Sequence, residues 1–515
     1  MRLIPPIKRL AVLLGACLAL LPLGAVVHAQ EATPAPAPAA ATVTGDPNGI
    51  TNPDFITKYD GSMKDDKGKV LNEKAPDLSA GDTAWVLGAS ALVLFMTPGL
   101  ALFYAGMARA KNVLNVLMQS FIAMAIVTVV WVVVGYSLAF APGSGATAGF
   151  LGGPDFVMLK GVGQTTFTWN GTAMTIPHQV FMAFQMMFAV ITPALISGAI
   201  VERMKFSAYC VFIAVWSLLV YAPMAHMVWG AGGMLFKMGA LDFAGGTVIH
   251  MTSGFSALVL VFLLGKRRLS SHEDTRPHNL PMTLIGTGIL WFGWFGFNAG
   301  SAGAANGLAG SAFMVTHIAA ATAGLVWVLL EWVHVKQPTA LGFASGAVAG
   351  LVAITPASGF VSPTSALIIG AVVPFISYGM IQLKNKLKAY DDTLDVFAVH
   401  GMGGVWGAVA TGIFADKAVN SLVPDDRGAL MKAQFASIGM AILLGVVGTV
   451  VITLILKAIF KGIAVSANEE EAGLDLTQHG ETGYVHGNGG AEVTFSGGHG
   501  APTMASSLHP AESTH

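Results

Sequence analysis

Six histidines (His178, His226, His250, His317, His334 and His400) fall in or beside runs of apolar residues. An ionisable ring inside such a run is expensive in lipid, so intramembrane histidines as a class face a polar path and mark ion or proton routes. His178, His226, His317 and His334 read as helix-end caps or as bonds to a neighbouring helix. His250 and His400 differ, because V-I-H-x-x-x-G at 248–254 parallels A-V-H-x-x-x-G at 398–404. Neutral imidazole offers one donor and one acceptor and can pass a proton between its nitrogens. Two such rings in contact would guide a small hydrogen-bonding solute without fixing a charge. The rival, a metal site, has no carboxylate or thiolate near the pair to complete a ligand set.

Asp242, in LDFAGG just before the His250 segment, suits a helix cap that complements the dipole. The same carboxylate would set up a negative potential that attracts a cation, and the two roles are compatible. Trp229, in AHMVWGAGG, is placed either as an interfacial tryptophan or for cation–π recognition. Phe184 and Phe188 fall one turn apart in AFQMMFAVIT, and Phe297 closes GWFGFNAGSAG, as packing or as a gate. Walker, GxGxxG and HExxH patterns are absent, so no cofactor, bound nucleotide or catalytic metal is expected.

These residues need a scaffold, and composition says which. Hydrophobic residues make up 54% and charged residues 11%, against about a quarter charged in a soluble domain. Mean hydropathy is +0.66, so the chain reads as an all-α polytopic membrane protein. A span needs about 20 apolar residues. Eleven candidates lie near 83–107, 113–141, 178–200, 207–229, 245–264, 281–302, 308–333, 340–356, 364–383, 396–415 and 434–460.

Ahead of them, Arg2, Lys8 and Arg9 precede an apolar stretch from Leu10 to Val27 and a small-residue site at Val27-His28-Ala29, the pattern of a cleaved signal over 1–29. A first transmembrane helix, or a lipoprotein box at Leu14–Cys17, are the alternatives. Cleavage would leave Cys210 as the one mature cysteine, with no intramolecular disulfide. Residues 30–82 read as a low-complexity extracytoplasmic tail, 83–461 as the helical domain and 462–515 as a cytoplasmic tail. With the N-terminus outside, fourteen Lys and Arg of the loops, from Arg109 to Lys461, fall on the cytoplasmic side and five on the other. The positive-inside rule thus supports N-out, C-in with an odd number of spans.

The end of the first span, FYAGMARAKN (103–112), matches FNAGSAGAAN (297–306) at the end of the sixth. Together with the two histidine phrases, this makes spans 1–5 and 6–10 five-helix repeats. Odd-numbered repeats must be inverted, and inverted repeats place substrate paths near the midplane between the halves.

TPGLALFYAGMARAKNVL, AFQMMFAVIT, AHMVWG, GALDFAGGTVIH, GWFGFNAGSAG and DVFAVHGMGG resemble, in the same order, the signatures of the ammonium transporter (Amt/MEP/Rh) family, most closely its bacterial Amt branch. The resemblance covers roughly 83–484. It implies the ammonium transporter fold in a bacterial inner membrane, a homotrimer with a pore through each subunit, and no enzyme activity. It also implies an outer ammonium site of Phe188, Trp229 and Ser301 with Asp242 nearby, a gate of Phe188 and Phe297, and a pore and proton relay of His250 and His400. Phe184 and Trp294 match positions near the path. EEEAGLDLTQHGETGY resembles a cytoplasmic segment that regulates transport and meets a PII-type regulatory protein. Beyond Tyr484, the stretch with His486, His499, His509 and His515 matches nothing. The alternatives are an ammonium sensor with little conduction, a neutral gas channel of the Rh type, which the Trp229/Ser301 site disfavours, and, most distantly, a membrane metalloenzyme.

Overall fold

The computed structural model describes residues 78–268 and 276–484. The expected signal over 1–29, Cys17, most of the 30–82 tail and the four distal histidines lie outside the described residues. Among the described residues, ten helices are long and apolar enough to cross a membrane. They are α1 (Ala80–Met107), α2 (Ala110–Phe140), α3 (His178–Ala199), α4 (Phe206–Lys237), α5 (Gly246–Leu264), α6 (Leu280–Gly300), α7 (Gly307–His334), α9 (Pro363–Leu387), α10 (Phe397–Phe414) and α11 (Arg427–Ile459). Between α7 and α9 lies α8 (Ala340–Ile354), an apolar helix of 15 residues. The span expected over 340–356 is therefore shorter than a perpendicular crossing needs. The chain turns after Ile354, and the Pro356 carbonyl accepts from Phe243 N–H at 3.1 Å. At the other extreme, α11 starts seven residues before the expected 434, because Asp426 caps it by accepting from Ala429 N–H at 2.9 Å.

Polar caps start the helices where the sequence offers them. Ser79 caps α1, Asn279 α6, Asn306 α7, Thr339 α8 and Ser362 α9. Asn112, at the end of the tight turn that opens α2, precedes its α-helical part from Val113 as Asn306 precedes α7, but its side chain caps nothing there. It accepts instead from Leu474 N–H of the C-terminal segment at 2.7 Å. Asp475 then supplies the missing cap from 360 residues away, accepting from Asn115 N–H at 2.8 Å and Leu114 N–H at 3.0 Å. The EEEAGLDLTQHG segment is thereby docked on the α2 terminus.

The two halves are antiparallel where they meet. Along α6, Gly286, Gly293 and Gly300 abut Phe103, Met96 and Ala89 of α1, so one helix runs up as the other runs down. Small residues let such helices approach closely. α5 and α10 cross the same way, Gly254 against Gly401 and Gly404 against Met251. This is the geometry of inverted repeats.

A two-stranded hairpin, β1 (Thr166–Trp169) and β2 (Thr172–Pro177), covers the outer ends of α3 and α4. It was not among the expected elements, although Asn170-Gly171 between β-branched and aromatic residues is a strong hairpin signal.

Candidate functional site

His250 and His400 each sit in a widened helical turn, Gly246–Met251 opening α5 and Phe397–Met402 opening α10. Such π-turns often mark functional positions. The crossing of α5 and α10 brings the rings together, Nδ1 to Nδ1 at 3.2 Å, with centroids 5.3 Å apart and planes 24° from parallel. Both rings are buried. One nitrogen of the pair must donate and the other accept. That leaves each Nε2 for a solute, and His250 Nε2 has no hydrogen-bond partner among the described residues.

The helix carrying each histidine is capped by an aspartate eight residues earlier, Asp242 for His250 and Asp392 for His400. Asp242 accepts from the N–H groups of Gly245, Gly246 and Thr247 at 2.7–2.8 Å, and from the Thr247 hydroxyl. Asp392 accepts from Phe397 N–H at 2.8 Å and Val396 N–H at 3.1 Å. The repeat relates the two carboxylates as it relates the two rings. Asp392 was missed in the sequence, though its distance from His400 was there to find.

On the outer side of the pair, Phe297 faces His250 with centroids 6.0 Å apart, and Trp294 lies 5.4 Å from the same ring. Phe188 contacts Phe297 at 4.4 Å with planes tilted by 44°, so the two rings meet obliquely. Both are 1% exposed. Phe184 packs edge-on against Phe188 at 4.8 Å, and the Trp229 ring stands 6.4 Å beyond Phe188 at 80°. Trp229 donates its indole N–H to the Asp242 carbonyl at 2.8 Å. Ser301, at the end of α6 one turn after Phe297, is partly exposed and donates its hydroxyl to the Phe297 carbonyl at 2.8 Å.

A cavity of about 10 Å³ lies against both histidines, room for about one water. Apart from those two rings and the Trp294 indole, every lining residue is apolar, among them Leu100, Phe103, Ile191, Ile249 and Val348. Phe103, Val348 and His400 also line a second cavity of about 160 Å³ that opens toward Arg267 and Asp395 at the inner end. The sequence flagged Phe103 only as the repeat partner of Phe297; the fold puts one on either side of the histidine pair.

Charged residues gather near the inner end, where Arg267 and Asp395 line the second cavity. Asp391 pairs with Arg203 at 2.7 Å and Arg267 at 2.9 Å, and buried Glu202 pairs with Arg109 at 2.6 Å. Burial pushes the Asp391 carboxyl up, but the Arg203 charge and the Arg267 hydrogen bonds overcome it and hold the group at about 2. For Asp392, burial outweighs the attraction of Lys384 and raises the carboxyl to about 6.

The other histidines divide. His178 bonds the Tyr136 hydroxyl at 2.7 Å, His334 the Tyr378 hydroxyl at 2.7 Å, and His226 reaches the carbonyls of Ala139 and Ala148 at 3.0 Å. These join helices to their neighbours. His317 departs from that expectation: it lies exposed in the middle of α7 against the Trp291 and Phe295 rings, on a face with Phe313.

Residues 84–484 match the model of the Ammonium Transporter Family. The chain is 48% identical over 413 residues to the ammonium transporter of Bacillus subtilis (strain 168), a match covering 79% of this chain and 99% of that protein. Its fold resembles the crystal structure of Saccharomyces cerevisiae Mep2 with a TM-score of 0.71 at 35% identity, covering 79% and 92% of the two chains. It also resembles a structure named Sensor Amt Protein, with a TM-score of 0.70 at 28% identity, covering 78% and 98%.

Proposed function

The chain belongs to the ammonium transporter family, and from that premise we propose that it carries ammonium across a bacterial inner membrane. NH4+ is recruited at the outer site, loses a proton there, and crosses as ammonia beside His250 and His400. The observation that carries this reading is the pair of imidazoles in contact against an otherwise apolar cavity with room for about one water.

Potassium and ammonium share charge and similar size, so a charged cage would separate them poorly. An apolar passage excludes either bare ion, because burying an unpaired charge is prohibitive. Ammonium can shed its charge and potassium cannot. Phe188, Trp229 and Ser301 form the outer site, where the ring faces attract a cation. The Asp242 oxygens are already engaged by backbone N–H groups, so this carboxylate contributes field rather than direct contact. Phe188 and Phe297 are the gate that must part. The proton travels through the His pair, each ring accepting on one nitrogen and releasing from the other.

The protein works as a homotrimer, N-out and C-in, with a cleaved signal. Exposed His317 on the apolar α7 face is costly in lipid and is relieved against a second copy. A PII-type protein meets the docked C-terminal segment.

Reconstitution into liposomes with opposed ammonium and potassium gradients tests the proposal, with current and internal pH recorded. Ammonium-dependent flux without potassium current is expected. Absence of ammonium flux would overturn transport, and ammonium binding without flux would favour a sensor, as the name of one structural neighbour suggests.

A further inference from the structure

The outer site depends on where the Trp229 ring stands, and the ring is held at both ends. Its indole donates to the Asp242 carbonyl at 2.8 Å. Its own carbonyl ends the helical part of α4, where no later turn supplies an N–H partner. That carbonyl accepts two hydrogen bonds from the tip of the hairpin, Trp169 Nε1–H at 2.9 Å and Asn170 Nδ2–H at 2.9 Å. Both of its lone pairs are used.

The base of the same hairpin is fixed to α3, the helix that carries Phe188. His178 N–H donates to Thr165 O at 2.9 Å and Gln179 N–H to Gly163 O at 3.0 Å. The Phe167 ring stacks on His178 at 4.2 Å, and Trp169 packs on Phe181 at 5.1 Å. The hairpin therefore bridges the two helices whose rings, Phe188 and Trp229, stand 6.4 Å apart. Its tip has little freedom. Asn170 and Gly171 lie at φ +48° and +79°, the pair of left-handed conformations of a type I′ turn, which Asn-Gly adopts readily.

We propose that the hairpin tip is a clasp that sets the position of Trp229, with Trp169 and Asn170 as positioning residues for recognition of the cation. The proposal rests on the reading of Trp229 as part of the outer ammonium site. A cation–π contact reaches only about 6 Å from the ring centroid, so a ring freed at its backbone end holds the cation less well. The passage beyond the gate is untouched by the hairpin. Loosening the clasp therefore weakens binding while leaving turnover intact, the signature of lost uniform binding.

The test is ammonium uptake by the full chain in proteoliposomes, comparing the native protein with Trp169→Phe, Asn170→Gly and the two combined. Phe keeps a ring against Phe181 and removes the donor; Gly keeps the positive φ and removes the amide. The combined variant is expected to raise the half-saturating ammonium concentration about three- to tenfold, with maximal rate within about twofold of native. Each single variant is expected to shift in the same direction. Trp229→Leu is measured alongside. If Trp229→Leu leaves half-saturation unchanged, the outer-site reading falls. If it raises half-saturation while the hairpin variants do not, the clasp alone is overturned, as it is if those variants lower the maximal rate at constant half-saturation.

Discussion

At the scale of single residues, the physical problem is an imidazole in an apolar interior. His250 and His400 solve part of it for each other, Nδ1 to Nδ1 at 3.2 Å, and the remaining nitrogens face a space for a solute. His317 has the same chemistry, yet it sits on the outside of α7 against Trp291. We expect His250→Asp and His400→Glu to degrade discrimination of ammonium from potassium far more than His317→Ala does. A carboxylate that holds a charge in the passage lowers the barrier to a bare cation. Potassium current in reconstituted liposomes measures this, and three variants behaving alike would remove the special status of the pair. The sequence singled out both rings through the H-x-x-x-G repeat. It said nothing of which nitrogens meet, because that depends on ring rotation at a crossing of two helices.

At the scale of elements, the pair exists because α5 and α10 cross with almost no side chain between them. A Cβ added at Gly254 would lie 2.3 Å from the Gly401 backbone nitrogen, a distance that forces the helices apart. Gly254→Val is expected to lower the unfolding temperature and abolish ammonium flux. Gly288→Val, on α6 where a Cβ meets nothing within 4 Å, is expected to change the unfolding temperature little. Scanning calorimetry or a thermal shift assay decides the first, and uptake the second; native-like flux in Gly254→Val would show that the close crossing is dispensable. The glycines at His+4 were visible in the sequence as half of the repeat phrase. Their purpose was not, since reciprocal contact is a property of two helices placed antiparallel. The span pattern read well for the same reason that hydropathy always does: lipid demands satisfied backbone over a fixed length. At 340–356 it met a shorter apolar helix, α8, of 15 residues, and it passed over the hairpin because a search for apolar runs ignores turn chemistry.

At the scale of the whole molecule, the inner face is tied together by carboxylates from distant parts of the chain. Asp391 joins the α3–α4 and α5–α6 connections through Arg203 and Arg267. Asp392 caps α10, and Asp475 of the C-terminal segment caps α2. Their pH effects have opposite signs. The folded protein holds the Asp392 proton up to about 6, above the value near 4 of an unfolded aspartate, so stability rises as pH falls from about 6 to about 4. Asp395, also raised by burial with Lys384 opposing, adds in the same direction. Asp391, held at about 2, costs stability only below about pH 4. Between pH 6.5 and 4.5 the unfolding temperature of Asp392→Asn should therefore rise less, or fall more, than that of the native protein. Parallel curves for the two proteins would refute the assignment. The sequence by itself determined that this is a membrane protein, where most of its spans begin and end to within a few residues, which family it resembles, and which residue types were candidates for the path. Those follow from local composition and from motif order, which the chain carries wherever it folds. Only the tertiary structure decided that His250 touches His400, that Asp392 mirrors Asp242, that Phe103 lines the cavities beside the pair, and that a hairpin reaches the Trp229 carbonyl. Each of these joins residues far apart in sequence through a few ångströms of space, and such distances are fixed by how whole helices pack rather than by the residues near them in the chain.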